Sequence, residues 1–362
     1  MSANFISMNW KNRLTDILGI PYPIIQAPMY GVTTPQMVAA ANAAGCLGSL
    51  PLADMPAAQC AALIRKTRAI TGQSFVVNIF THQLPVVTPE LRSQYEMVKT
   101  YLEQLSAKNG IDVLLPGFDD LQVNGYKEQV EAIIEEGCKI LSFTFGNLDD
   151  DSIRLLKENE VLLIGTCTSV EEALVLERSG IDIICVQGIE AGGHQGRFID
   201  DNVPLRGGFS LLPQVFDAVA VPLIYAGGIY NGRTLQAAKT LGAAAYQVGS
   251  LLIASEESLL QDFEKQKLEA LDESQIVLTK SFSGRYARGI RNTFINAIED
   301  TGYILPYPYQ NKITGALRAA AKKAGNAEFT NIWVGQSVYD FSTSSTTDIL
   351  KTLIADAEQE NT

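Results

Sequence analysis

One stretch of this 362-residue chain concentrates groups that could do chemistry: IDIICVQGIEAGGHQG, Ile181 to Gly196. Its apolar start, Ile181 to Val186, predicts a strand that empties into Gln187, Gly188, Glu190, Gly192, Gly193 and His194. An imidazole titrates near neutral pH and can accept, donate or hold a proton. Glycines beside it let backbone N–H groups approach a ligand that side chains would block. Loops at the carboxyl ends of parallel strands hold such groups on a rigid base. His194, one of only two histidines, is therefore the first catalytic candidate. Taken alone, a single histidine is more often structural than catalytic.

Two later glycine turns suggest an anion site. AGGI, Ala226 to Ile229, and QVGS, Gln247 to Ser250, follow successive apolar runs. Converging late strand ends can hold a phosphate on free N–H groups and a helix dipole without a lysine. Each turn by itself also fits an ordinary chain reversal. APMYG, Ala27 to Gly31, could line a flat ring with its main chain, and the amides of Asn78 and Gln187 could meet the edge of that ring. The joint picture is a phosphorylated planar cofactor with His194 near its reactive edge.

The elements that must position these groups repeat. YPIIQAPM, CLGSLP, SFVVNIF, KILSFTFG, VLLIGTC, IDIICVQG, PLIYAGGI and AAYQVGSLLIAS read as strands, and helical segments lie between them. Thr33 or Thr34 caps the first of these helices, and Ser169 with Glu172 makes a capping box in another. GIDVLLPGF reads as a further strand or near-strand. About eight strand–helix units favour an α/β fold of the closed (β/α)8 TIM-barrel kind over an open doubly wound sheet. No GxGxxG follows the first strand, which weakens the dinucleotide-binding version of the open sheet.

The repeat fades after Glu256. We expect residues 1–255 to form the main part of the barrel, 256–325 an appended helical region on the substrate side, and 326–362 a segment returning to the barrel before a polar tail. Within the appended part, Arg285, Arg288 and Arg291 are spaced by three, so on a helix they would share a face.

Composition narrows the function classes. The formal net charge of −12, with no Lys/Arg cluster, works against nucleic acid or an anionic membrane as partner. No apolar run approaches the roughly 20 residues of a membrane span, and the amino terminus lacks a signal-peptide pattern. Five scattered cysteines without CxxC spacing read as reduced core thiols of a cytoplasmic protein. No metal site is expected, because clustered Cys/His spacing is absent.

QAPMYG, VVNIF, QGIEAGGHQG, IYAGGI, LGAAAYQVGSLLIASEES, PYPYQNK and IWVGQS together resemble the nitronate monooxygenases, formerly 2-nitropropane dioxygenases, from about residue 18 to 337. The resemblance implies an FMN-dependent (β/α)8 barrel that oxidises alkyl nitronates, such as propionate 3-nitronate, with dioxygen. It makes His194 the active-site histidine beside the flavin, able to stabilise the anion when protonated or to take the α-proton of a neutral nitroalkane. It places Asn78, Gln187 and the backbone of Ala27, Pro28 and Met29 at the isoalloxazine ring or ribityl chain, with Gly192 and Gly193 bordering them. Gly227, Gly228, Gln247, Gly249 and Ser250 would surround the phosphate, and Tyr307 and Lys312 would lie near the substrate.

The chain departs from the family where SFTFG carries Thr144 in place of a histidine, so assistance from that second imidazole is absent. Related flavin barrels include NAD(P)H-dependent reductases of quinones or enoyl thioesters, which is the main alternative reading. A non-enzymatic phosphate-ligand barrel is another. The expected partners are small molecules only, in a monomer or homodimer.

Overall fold

The computed structural model describes residues 9–199, 205–337 and 340–359. Eight parallel strands form the central sheet: β1 (Ile24–Gln26), β2 (Ser49–Ala53), β3 (Val76–Phe80), β4 (Ile140–Thr144), β5 (Leu162–Cys167), β6 (Ile183–Gln187), β8 (Leu223–Ala226) and β9 (Ala245–Val248). A two-residue strand, β7 (Gly193–His194), lies outside this sheet. β1 pairs with β9, and a parallel bridge between Ile25 and Leu47 closes the ring ahead of β2. The expected (β/α)8 barrel is the architecture found.

Strand period accounts for its two cores. Ile24, Val77, Leu141, Leu163, Ile184 and Leu223 face outward onto the helices, whereas Ile25, Val76, Ile140, Ile164, Ile183 and Ile224 fill the lumen. Leu14 and Leu18 of the short helix α1 (Arg13–Leu18) join the lumen cluster and plug its lower end. The lumen is thus packed from below and opens at the carboxyl ends of the strands.

The outer ring comprises α2 (Pro35–Ala43), α3 (Ala57–Thr71), α5 (Lys127–Glu135), α6 (Asp150–Glu158), α7 (Val170–Arg178), α8 (Gly208–Ala218), α9 (Gly232–Thr240) and α13 (Thr346–Gln359). Polar caps start several of them. Thr34 accepts from the N–H of Met37 at 3.0 Å ahead of Pro35, and Ser169 accepts from that of Glu172 at 3.1 Å. Glu172 does not complete the expected box, because its carboxylate reaches the N–H groups of Thr168 and Phe198 instead.

Two long excursions leave the ring. α4 (Pro89–Lys108) follows β3, and residues 249–345 separate β9 from α13, which packs against α9 and α2. The second excursion carries α10 (Asp262–Glu269), β10 (Ile276–Thr279), β11 (Ala287–Ile290), α11 (Thr293–Ile298) and α12 (Tyr309–Lys323). Tyr95, Val98 and Leu102 of α4 bury against Phe282, Phe294, Ile313 and Leu317 in a separate cluster. This appended core therefore draws on residues upstream of β4 as well as on the 256–325 region.

Two sequence expectations change here. GIDVLLPGF makes no strand: Pro116 and Gly117 interrupt it, Ile111 and Leu115 are buried in the appended core with Val113 and Phe118 packed against it, and Leu114 is 88% exposed. Arg288 lies on β11 rather than on a helix, with Arg285 and Arg291 outside it, so the three share no helical face. Pairing on both sides, with β10 and with β7, set that segment's conformation and buried all four residues of β11, which spacing by three could not reveal.

Candidate functional site

A cavity of about 360 Å³ opens over the barrel's upper end, within the size range of small-molecule and cofactor sites. Its floor is the last lumen-facing layer of the strands. Ala27, Asn78, Thr144, Thr166, Gln187 and Gln247 line it, two residues beyond their strands' apolar lumen positions in several cases. Pro28, Met29, Gly192, Gly193, His194, Gly227, Gly228, Gly249, Ser250 and Tyr307 also line it. Of the site residues that the family resemblance implied, Lys312 alone is not on this wall.

One end of the cavity is a cradle of backbone. The N–H groups of Gly228, Ile229, Gly249 and Ser250 donate to no acceptor among the described residues, leaving a concave set of donors suited to a phosphate. Gly227 at φ 123° and Gly228 at φ 68° adopt conformations that exclude an ordinary side chain. Ser250 Oγ accepts from the Gly335 N–H at 2.8 Å and ties the IWVGQS segment over this end. Glu190 borders the same end, its carbonyl accepting from the Gln336 N–H at 3.0 Å and its carboxylate from the N–H of Gly208 at the start of α8 at 2.8 Å.

Gly192 packs where no Cβ fits: an added one would lie 2.6 Å from the Gly335 nitrogen and 2.7 Å from the Val334 carbonyl carbon. Gly192→Ala should therefore separate these two backbones, lower stability by about 1–3 kcal/mol and reduce bound flavin. Thermal melts together with the absorbance ratio of flavin to protein check this, and an unchanged ratio would contradict it.

His194 is placed jointly by barrel and insertion. β7 pairs antiparallel with β11, His194 opposite Ala287 and Gly193 opposite Arg288, and β11 pairs in turn with β10. Gln187 fixes the loop from the other side, donating to the His194 carbonyl at 2.9 Å and accepting from the Gly196 N–H at 2.7 Å. Its amide thus holds the loop and does not present a free donor–acceptor pair, as the sequence had suggested. Asn78 donates to Ser142 Oγ at 2.9 Å, which leaves its carbonyl oxygen toward the cavity.

The ring's tautomer follows from Ser283. Its Oγ donates to the Arg285 carbonyl at 3.0 Å and lies 2.8 Å from His194 Nε2. A serine has one proton to give, so Nε2 carries the hydrogen and Nδ1 is left as an acceptor, with no partner among the described residues. Enclosure, with Arg318 and Arg285 nearby, pushes the histidine pKa down to about 3. Phe145 and Trp333 sit edgewise against the ring, at 5.4 and 5.6 Å. Phe145 adopts φ 78°, a strained value for an aromatic residue, at the carboxyl end of β4.

The other end of the cavity is polar and cationic. Lys312 pairs with Asp54 at 2.6 Å, and it is Asp54 that reaches the wall. Arg318, which sequence reasoning missed, lies on the wall one helical face along α12. Its guanidinium donates to Asn331 Oδ1 at 3.2 Å and to Asn311 Oδ1 at 2.8 Å, and it has no carboxylate partner among the described residues. Burial lowers its pKa to about 10, still well above neutrality. Nothing in the run ALRAAAKK separates this arginine from a solvated one. Ser283, Asp54 and Phe145 were equally silent, since each acts through a neighbour distant in sequence.

Comparison with known proteins agrees with this geometry. A family model described as nitronate monooxygenase matches residues 11–356. A probable nitronate monooxygenase of Staphylococcus aureus (strain JH9) is 37% identical over 352 residues, covering 96% of this chain and 98% of that protein. The solved nitroalkane oxidase of Streptomyces ansochromogenes superposes with a TM-score of 0.86 at 33% identity, covering 96% of this chain and 98% of that one. FabK from Thermotoga maritima follows with a TM-score of 0.73 at 27% identity, over 97% of each chain. By the extent of these matches, and with a glycine cradle and an enclosed histidine on one barrel mouth, the chain belongs to the nitronate monooxygenase family of FMN-dependent oxidoreductases.

Proposed function

We propose that this cavity oxidises an alkyl nitronate, taken up as the anion, with dioxygen as oxidant. The observation that carries the reading is Arg318, a cation without a carboxylate partner among the described residues, in the same enclosed space as a neutral histidine. Holding a charge away from water costs several kcal/mol unless an opposite charge arrives. An anionic substrate supplies it, whereas a quinone or a neutral nitroalkane does not. A histidine with a pKa near 3 is also a poor base toward a carbon acid, which favours a substrate already deprotonated.

The residues present fit FMN. The unpaired N–H groups of Gly228, Ile229, Gly249 and Ser250 would hold its phosphate, and Ala27, Pro28, Met29, Asn78, Gln247 and Gly193 would border its ring system and chain. FMN supplies the redox chemistry when bound. The chain supplies placement. Arg318 attracts and seats the anion, and the aromatic wall of Phe145, Tyr307 and Trp333 excludes water. His194 presents Nδ1. A nitronate beside it favours the protonated ring, so substrate binding and proton uptake are coupled, with the new N–H donating to a nitro oxygen.

This revises the role expected for His194. The stabilising proton arrives with the anion and is not already there. All five cysteines are unpaired and buried, which supports a reducing, cytoplasmic setting, and no helix among the described residues is long and apolar enough to cross a membrane.

The test is anaerobic mixing of the purified yellow protein. Propionate 3-nitronate should bleach the visible flavin band rapidly, and NADH or NADPH should leave it unchanged over the same interval. Rapid bleaching by the nicotinamide alone would replace this reading with that of a reductase. Protein that neither carries nor binds FMN would point to a ligand-binding barrel.

A further inference from the structure

The chain's second histidine lies behind the substrate end of the cavity, outside the site described so far. His82, in the loop after β3, is 5% exposed, and its ring meets that of Tyr307 edgewise at 4.6 Å. Tyr307, 6% exposed, touches Phe145 at 5.5 Å, and Phe145 touches His194 at 5.4 Å. The two histidines thus stand at the ends of one row of rings.

Polar atoms in this place are left without hydrogen-bond partners among the described residues. They are both nitrogens of His82, the hydroxyl of Tyr307 and Oδ2 of Asp54, the last held only by the Lys312 ion pair. An unsatisfied buried donor or acceptor costs on the order of 1–3 kcal/mol, and native proteins normally resolve such groups with ordered water. These atoms are complementary. A neutral imidazole offers one donor and one acceptor, a phenol offers both, and a carboxylate accepts. The charge of Asp54 acts on both His82 and Tyr307, which puts the groups within one neighbourhood.

A metal ion is a poor occupant. Lys312 already neutralises the carboxylate, and no group of three His, Cys, Asp or Glu that could hold a metal occurs among the described residues. Two to four polar partners are what a buried water needs.

We propose that His82, Tyr307 and Asp54 form one water-bridged unit, in which His82 is a positioning residue that sets the Tyr307 ring against the substrate end of the cavity. The unit closes the polar atoms of the tyrosine on the side away from substrate. Its ring then serves as a fixed wall beside Phe145. The effect on catalysis rests on the reading of the cavity as a nitronate site, whereas the coupling between the residues does not.

The experiment is a double-mutant cycle in the FMN-loaded enzyme, with His82→Phe, Tyr307→Phe and the pair together, and His82→Gln as the variant that keeps a donor and an acceptor. Phenylalanine at 82 should raise KM for propionate 3-nitronate about tenfold with kcat within about twofold, glutamine should restore most of it, and phenylalanine at 82 should add nothing once Tyr307→Phe is present. Denaturant unfolding of the same four proteins should show the same non-additivity. Additive effects in unfolding, or a His82→Phe enzyme with unchanged KM, would overturn the proposal. If the wild-type enzyme ignores nitronate, the functional reading falls alone, and the unfolding cycle still decides whether the unit exists.

Discussion

Replacing His194 with alanine should lower kcat/KM for a nitronate roughly a hundred- to a thousand-fold, the usual effect of removing one donor from developing charge, with FMN still bound. Binding should survive because the cradle proposed for the phosphate is built from Gly228, Ile229, Gly249 and Ser250, none of which contacts the imidazole through a hydrogen bond. In the wild-type enzyme the pH profile carries a second signature. kcat/KM reports groups of the free enzyme, and free His194 has a pKa near 3. The ring is protonated below that value and neutral above it, so the profile should run through pH 6.5 without an inflection. Steady-state rates from pH 5 to 8 with preformed nitronate would check this. An inflection near 6.5 would mean that the ring is solvated and carries its proton before substrate arrives.

Arg318→Met should separate activity from stability. The guanidinium is a cation on the cavity wall with no carboxylate partner among the described residues, and removing it should raise KM for nitronate about ten- to a hundred-fold while kcat changes little, as for lost ground-state and transition-state binding alike. The same substitution should leave the unfolding free energy unchanged or higher, because a methionine of similar length relieves the burial of an unpaired cation. Arg318→Lys should rescue poorly. The planar fork donates at once toward Thr314, Asn311 and Asn331, and a single ammonium cannot reproduce that orientation. Saturation kinetics beside denaturant melts provide the check. A Met variant that loses stability and retains its KM would assign Arg318 to the fold.

Much of the barrel was legible because its strands are short apolar runs ending in polar or glycine residues. Asn78 and Gln187 stood out as amides in otherwise apolar strands, and AGGI and QVGS stood out as glycine turns after late strands. What escaped depends on contacts between distant segments. Ser283 decides the protonation of His194 across 89 positions, and Asp54 meets Lys312 from the opposite side of the mouth. The arginine trio misled for a related reason: a period of three says nothing once β11 is drawn into an antiparallel ladder with β7. Thr144 was read as a lost imidazole. Its hydroxyl lines the floor 3.4 Å from that of Thr166, and the chain's other imidazole, His82, lies against Tyr307.

The ladder between β7 and β11 also bears on how such chains can be recombined. His194 is encoded in the barrel, yet the partner that sets its tautomer and the strand that holds its backbone belong to the inserted segment. The two parts are a single heritable module in chemical terms. A chimera that took its barrel from one relative and its insertion from another would keep the histidine and exchange the proton's address.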